Sequence, residues 1–221
     1  MKMPFFVLIA PAVLLTLLVP LISWVVARAT GAPFASAIFA AIPFVLLLNH
    51  SIAFLGLFLV LRREGRSLEA IGWRSPKSGG AVAREAVIGL LASVVLVVVV
   101  DHWVRPFLGL GGASNAIADL PRWSAARLAW FAGFLILPAI EESIYRGYGI
   151  GRLRVRFGVI PAVLITTFLF GVLHVSAGLR EGVSAVALGS LCAAIFLARR
   201  DLVAVSVAHS TRNVVAAIGL L

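Results

Sequence analysis

The chain has 221 residues, of which 62% are hydrophobic and 13% are charged. Soluble domains have about 45–50% apolar and about 25% charged residues, so this composition excludes an ordinary soluble domain. The formal net charge of +10 does not indicate a nucleic-acid partner, because the basic residues lie between apolar stretches and not in one soluble block. A polytopic membrane protein is predicted.

Seven apolar stretches are candidates to cross the hydrocarbon core of a bilayer, which takes about 20 helical residues. In chain order they are Phe5–Val26, Phe34–Leu61, Ala86–Val104, Leu128–Tyr148, Val159–Leu179, Gly182–Ala198 and Leu202–Leu221. The second is long enough to tilt or break and the sixth is short, so six and eight spans stay open as alternatives. We therefore predict an all-α bundle, with residues 1–221 forming one integral membrane domain in the lipid bilayer.

The basic residues divide unequally between the two ends of this bundle. Of the 19 Lys and Arg residues, thirteen fall on the amino-terminal side, five on the other side and Arg212 inside the last span. Lys and Arg are in excess on the cytoplasmic side of membrane proteins. We therefore predict a cytoplasmic amino terminus in a plasma or inner membrane.

Three features outside the main motifs receive structural interpretations. Asn49, His50 and Ser51 interrupt the second span, and a packing bend is favoured there over a cavity-lining role. Cys192 is the single cysteine, which excludes an intrachain disulfide, and we assign it to helix packing. The first long connection carries Trp73 among basic residues, which fits either an interfacial segment or a solvated loop.

Two adjacent carboxylates, Glu141 and Glu142, end the apolar run of the fourth span. An ionisable side chain inside a membrane is costly and usually marks a pathway or a reaction. Glu142 and Arg146 lie one helical turn apart and can pair, whereas Glu141 points about a hundred degrees away. The spacing therefore predicts a supporting ion pair beside a carboxylate that faces a cavity.

Two later pairs have the same four-residue spacing. Phe170 precedes His174 in the fifth span, where the ring can fix an imidazole that offers one donor and one acceptor. His209 precedes Asn213 in the last span, and both can donate hydrogen bonds toward one point, as an oxyanion site requires. Taken alone, each pair also fits interhelical hydrogen bonding, which polar side chains often provide in membranes.

Together these residues suffice for general-base hydrolysis. Glu141 would remove a proton from water, His174 would hold that water, and His209 with Asn213 would stabilise the oxyanion. Imidazole and carboxylate groups are also zinc ligands, so a divalent metal such as zinc, if present, would be held by Glu141, His174 and His209. The chain has no His-Glu-x-x-His pair, and the sequence requires no cofactor.

The three motifs, in this order, resemble those of the CAAX protease and bacteriocin-processing family of intramembrane proteases. They read Glu141-Glu142-x-x-x-Arg146, Phe170-x-x-x-His174 and His209-x-x-x-Asn213, and they lie within residues 141–213. The resemblance implies a helical membrane fold with a cavity open toward the cytoplasm. It also implies hydrolysis of a peptide bond in a membrane-associated peptide or protein.

The resemblance assigns a role to each motif residue. Glu141 matches the water-activating base, His174 its partner, and His209 and Asn213 the oxyanion-facing or metal-facing pair. The supporting residues are Glu142, Arg146 and Phe170. A non-catalytic scaffold, regulator or immunity protein with the same fold is the alternative function, and a small proton-coupled transporter ranks third because no inverted repeat is visible.

Overall fold

A computed structural model describes residues 3–31, 33–73, 79–110, 124–175 and 178–217 of the protein. Within these residues the chain forms seven main helices and no strand. They are α1 (Met3–Thr30), α2 (Phe34–Arg63), α3 (Gly79–Phe107), α4 (Ala125–Phe157), α5 (Val159–His174), α6 (Leu179–Arg199) and α7 (Leu202–Ala217). The predicted all-α bundle is confirmed.

Most of the predicted apolar spans form apolar helices in the structure. Five of the described helices are long and apolar enough to cross a membrane, whereas α5 is a shorter apolar helix. Large apolar side chains such as Leu17, Leu91 and Phe168 are exposed on the outside of the bundle. In lipid these positions need no polar cover, which is why the helices are apolar on several faces and not only toward the core.

Two helices contain a π-helical section, which the sequence did not predict. In α3 it runs over Val97–Val104, and in α4 it runs over Ser143–Ile150, directly after the paired glutamates. Every residue of the section in α4 is buried. Such sections are rare and often occur at functional sites.

Ion pairs between helix ends, such as Arg152–Glu64 and Arg105–Glu181, mark two ends of the bundle, which differ in composition. One end collects the start of α1, the end of α2 and the end of α4, with the exposed arginines Arg62, Arg154 and Arg156. We call it the basic end. The other end, which we call the opposite end, is formed by the last residues of α1, α3, α5 and α7 together with the starts of α2, α4 and α6.

Residues 64–73, which we call the connector, cover the basic end of the bundle. A short 3-10 turn, Leu68–Ile71, carries the buried Ile71, and the Leu202 amide donates to the Gly72 carbonyl at 3.1 Å. At Gly147 of α4, a Cβ would lie 2.6 Å from the Ile71 carbonyl oxygen, so only glycine permits this approach. Gly65, Ser67, Glu69 and Ala70 are exposed, whereas Ile71 and Gly72 are buried, so the end of the connector packs against the bundle.

Helices α5 and α7 begin at different depths. Val159 and Ile160 at the start of α5 are exposed, whereas Asp201 and Leu202 at the start of α7 are buried. At 1.5 Å per residue, His209 lies about 10 Å along α7 and His174 about 22 Å along α5. Both rings contact the Phe170 ring, so α7 starts nearer to these histidines than α5 does.

Candidate intramembrane active site

The two adjacent glutamates lie where α4 passes from its α-helical to its π-helical section, and both are buried. Glu141 is 7% exposed and Glu142 is fully buried. Consecutive side chains on a helix point in different directions, and here each carboxylate has its own set of partners. The site therefore consists of two carboxylate centres side by side.

Glu142 is the centre of a buried ion cluster. Arg146 Nε lies 3.2 Å from its Oε2, and His209 Nδ1 lies 2.9 Å from its Oε1. The Arg146 guanidinium also stacks over the Phe170 ring at 4.5 Å from the ring centroid. At Gly189 of α6 a Cβ would lie 2.7 Å from Arg146 Nη2, so a glycine there leaves room for the guanidinium.

Glu141 has a partner that the sequence motifs do not contain. His50 Nε2, from α2, lies 3.0 Å from Glu141 Oε1, and His50 Nδ1 donates to the Leu46 carbonyl at 2.8 Å. On the other side, His209 Nε2 lies 3.9 Å from Glu141 Oε2. His50 therefore does more than mark a packing bend, which corrects the interpretation favoured from the sequence.

The imidazole of His174 is oriented by the residue one turn before it. Its Nδ1 donates to the Phe170 carbonyl at 2.9 Å, and its ring lies 4.6 Å from the Phe170 ring, centroid to centroid. The Phe170 ring also contacts the His209 ring edge-to-face at 6.0 Å. Because a carbonyl only accepts, His174 Nδ1 carries the hydrogen, and the Nε2 lone pair is left for another partner.

Asn213 lies beside a second ion pair near the opposite end. Its Oδ1 accepts from Arg212 Nη1 at 3.2 Å, and Arg212 forms a two-point ion pair with Asp101 of α3. Arg105, one turn after Asp101, bonds to Glu181 of α6 at 2.6 Å. Arg212 inside the last span thus has its carboxylate partner in α3, which the sequence alone could not identify.

A cavity of about 1020 Å³ connects these groups. It is lined by both functional and apolar side chains, and its polar members include His50, Glu141, His174, His209 and Asn213. Its apolar wall comes from α1, α2 and α4, with Leu15, Leu46, Trp130, Phe134 and Leu137. Four predicted catalytic residues therefore share one cavity, and the supporting residues Glu142 and Arg146 are packed behind it.

The cavity extends toward the opposite end, where Asp101, Arg105, Glu181 and Ala217 line it, while the connector covers the basic end. A cytoplasmic amino terminus and a cavity open to the cytoplasm are both predicted from the sequence. The cavity lining reaches the helix ends opposite the amino terminus of α1, so an opening at those ends would face the other side of a membrane from that terminus.

The described residues offer one compact set of metal-ligand types. Donor atoms of Glu142, Cys192 and His209 lie within 4.8 Å of one another, and all three are buried. Glu142 is already bonded to His209 and paired with Arg146, so a cation there would be repelled by the guanidinium. The predicted ligand set Glu141, His174 and His209 does not form such a compact group. Cys192, which we had assigned to packing, lies beside the ion cluster.

The signal that could have identified His50 was present in the sequence. An ionisable side chain in the middle of an apolar span is by default a functional candidate, and His50 sits in the middle of α2. No motif spacing links it to Glu141, however, since the two are 91 residues apart in the chain. The bonds of Asp101 to Arg212 and of Trp73 to Ser143 were not predicted for the same reason.

Fold and site together define an integral membrane protein whose interior holds ionisable groups around a cavity, the arrangement expected of an intramembrane enzyme. A family model described as Type II CAAX prenyl endopeptidase Rce1-like matches residues 123–215. This segment is Rce1-like, which confirms the resemblance predicted from the motifs. Comparisons with curated proteins and with solved structures found no match.

Proposed function

We propose that the protein is an intramembrane endopeptidase that cleaves a membrane-associated peptide or protein with water activated by Glu141. The observation that carries the proposal is the convergence of Glu141, His174, His209 and Asn213 on one cavity with an apolar wall. Such a wall accepts a hydrophobic or lipid-modified carboxyl-terminal segment. The Rce1-like match over residues 123–215 supports the same reaction class.

In the proposed reaction, Glu141 Oε2 removes a proton from a water molecule while the water oxygen attacks the scissile carbonyl carbon. His174 Nε2 accepts a hydrogen bond from that water and orients it. The Asn213 amide hydrogens donate to the oxyanion, because Asn213 Oδ1 already accepts from Arg212. As the carbon–nitrogen bond breaks, the proton held by Glu141 passes to the leaving amine, and the carboxylate is restored.

The proposed base acts without a metal. Glu142 pairs with Arg146 and fixes the His209 ring through Nδ1. The remaining nitrogen of His209, Nε2, then lies on the cavity side next to Glu141, and it donates a second hydrogen bond to the oxyanion when the ring takes up a proton during the reaction. Chelation provides the check, since cleavage by protein treated with 1,10-phenanthroline is expected to equal that of untreated protein.

Purified protein in detergent or proteoliposomes tests the proposal. The probes are a fluorogenic peptide carrying an S-farnesylated cysteine near its carboxyl terminus and the same peptide without the lipid. Glu141→Ala and His174→Ala are each expected to lower cleavage by about 10²–10⁴-fold, with the helical circular dichroism unchanged. Undiminished cleavage in both variants would overturn the proposed mechanism. A cellular phenotype that survives loss of Glu141 would instead favour a non-catalytic membrane scaffold, regulator or immunity protein.

We also propose that the basic end faces the cytoplasm, as the excess of arginines there favours. The cavity residues near the opposite end then lie toward the outer side of the membrane. Leu110→Cys at the opposite end should react with a membrane-impermeant maleimide in intact cells, and Arg200→Cys at the basic end should react only after lysis. Cys192 is buried and gives a low background; the reverse labelling pattern would invert the orientation.

A further inference from the structure

We infer that His50 is a positioning residue for Glu141: it donates a hydrogen from Nε2 to Glu141 Oε1 and thereby keeps Oε2 free to accept a proton from water. The inference rests on the proposed function and extends it to a residue of α2, outside the segment that matches the family model. His50 is 2% exposed and lines the cavity beside Glu141.

Both nitrogens of the His50 ring face an oxygen acceptor. Its Nδ1 lies 2.8 Å from the Leu46 carbonyl oxygen, which can only accept, so Nδ1 carries a hydrogen. Its Nε2 lies 3.0 Å from Glu141 Oε1. A neutral imidazole has only one N–H, and a lone pair facing a carboxylate would repel it. A hydrogen must therefore lie between Nε2 and Oε1.

The hydrogen between Nε2 and Oε1 can belong either to the His50 imidazole or to the Glu141 carboxylate. His50 contacts the carboxylate of Glu141. Beyond Glu141 lie His209 and the Glu142–Arg146 pair, in which the negative and positive charges offset each other. Two bonds fix the His50 ring, one to the backbone of its own helix and one to Glu141. An imidazolium that donates at both nitrogens satisfies both acceptors, and Glu141 then remains a carboxylate.

The bond to His50 also determines where the second carboxylate oxygen of Glu141, Oε2, lies. With Oε1 held by His50 on α2, the second oxygen of the carboxylate is turned away from α2 and lies 3.9 Å from His209 Nε2. That gap exceeds hydrogen-bonding distance, so Oε2 keeps its acceptor capacity on the side that holds His209. His50 thus determines which oxygen acts as the base, and it does so without contact with the peptide.

Three variants separate this role from a packing role. His50→Gln keeps an amide donor near the Nε2 position, His50→Leu removes the donor at similar volume, and Ser51→Ala changes an exposed neighbour. We expect kcat to fall about 100-fold in His50→Leu with KM nearly unchanged, to recover to within about tenfold of the parent in His50→Gln, and to stay unchanged in Ser51→Ala. Equal activity of His50→Leu and the parent, or equal losses in His50→Leu and His50→Gln, would overturn the inference.

A spectroscopic measurement tests the same hydrogen without any substrate. In protein labelled with ¹⁵N-histidine, one imidazole should show hydrogens on both ring nitrogens at neutral pH, and that signal should vanish in His50→Gln. A spectrum in which His50 Nε2 carries no hydrogen would overturn the inference even if peptides are cleaved. Conversely, a doubly protonated His50 in a protein that cleaves no peptide would refute the proposed function and leave the His50–Glu141 bond intact.

Discussion

The amino-terminal helices α1–α3 and the carboxyl-terminal helices α4–α7 contribute to the cavity in different ways. The carboxyl-terminal region carries all three spaced motifs and the segment 123–215 that matches the family model. The amino-terminal region has no motif, yet three of its residues bond to residues of the carboxyl-terminal region. His50 bonds to Glu141, Trp73 donates to Ser143, and Asp101 pairs with Arg212.

This difference shows how chemistry and support are divided in the bundle. Residues that would touch substrate come from helices that carry a motif pair at four-residue spacing, and on α7 both members of the pair, His209 and Asn213, line the cavity. Their partners come from single residues on distant helices. Ser143, which follows Glu142, illustrates the point, because it donates to the Ala139 carbonyl and accepts from Trp73 Nε1 at 2.7 Å.

The largest effect is expected within the carboxyl-terminal region itself, at the buried Glu142. In Glu142→Ala, Arg146 would be left as an uncompensated buried charge, and His209 would lose the acceptor for Nδ1. We expect the free energy of unfolding to fall by about 3–5 kcal/mol, measured by denaturant titration in mixed micelles. Arg199→Ala is the control, because its pair with Glu85 is partly exposed and is worth about 1 kcal/mol or less. Equal losses in the two variants would contradict the ion cluster.

The fold could be predicted from the sequence because its signals are local. Each predicted apolar stretch overlaps one helix, and lipid solvation requires helices wherever such stretches cross the membrane. The length of α5 was overestimated, since α5 ends at His174 whereas the predicted stretch continued to Leu179, where α6 begins. The π-helical section after Glu142 was not predicted. Its Gly147 packs against the connector, and no local sequence signal specifies such a contact.

The site could be predicted only as far as helical spacing reaches. The ion pair between Glu142 and Arg146 follows from one turn of helix. The bonds from His50 to Glu141 and from His209 to Glu142 join residues far apart in the chain. Such contacts depend on which helices are neighbours and at what depth each begins, and the apolar faces of membrane helices carry little information about either.

A second effect, of intermediate size, is expected at Asp101, the amino-terminal partner of the last motif. Asp101→Asn keeps the volume of the side chain but removes the charge that holds Arg212. A hydrogen bond to a charged group contributes about 1.5–3 kcal/mol, and we expect the unfolding free energy to fall by that amount. A double-mutant cycle with Arg212→Met measures the pair directly, and strictly additive losses would show that the pair is not coupled.

Asp101→Asn is also expected to change the kinetics of cleavage. Arg212 donates to Asn213 Oδ1, so an Arg212 released from Asp101 would no longer fix the amide that is proposed to face the oxyanion. Asp101→Asn should therefore lower kcat more than it raises KM, although Asp101 is proposed to have no chemical role. An increase in KM alone would instead assign Asp101 to substrate entry at the opposite end of the bundle.

The smallest effect is expected at Trp73 of the connector. Trp73→Phe removes the Nε1 donor to Ser143 while retaining most of the apolar contact, and a hydrogen bond between neutral groups contributes about 0.5–1.5 kcal/mol. Trp103→Phe is the matched control, because Trp103 is 71% exposed and the same change there should leave stability unaltered. A loss confined to Trp73→Phe, with kcat nearly unchanged, would show that the connector stabilises the segment after Glu142 without taking part in the reaction. Equal stability of the two variants would mean that the closure of the basic end rests on Ile71 and the Gly72–Leu202 bond instead.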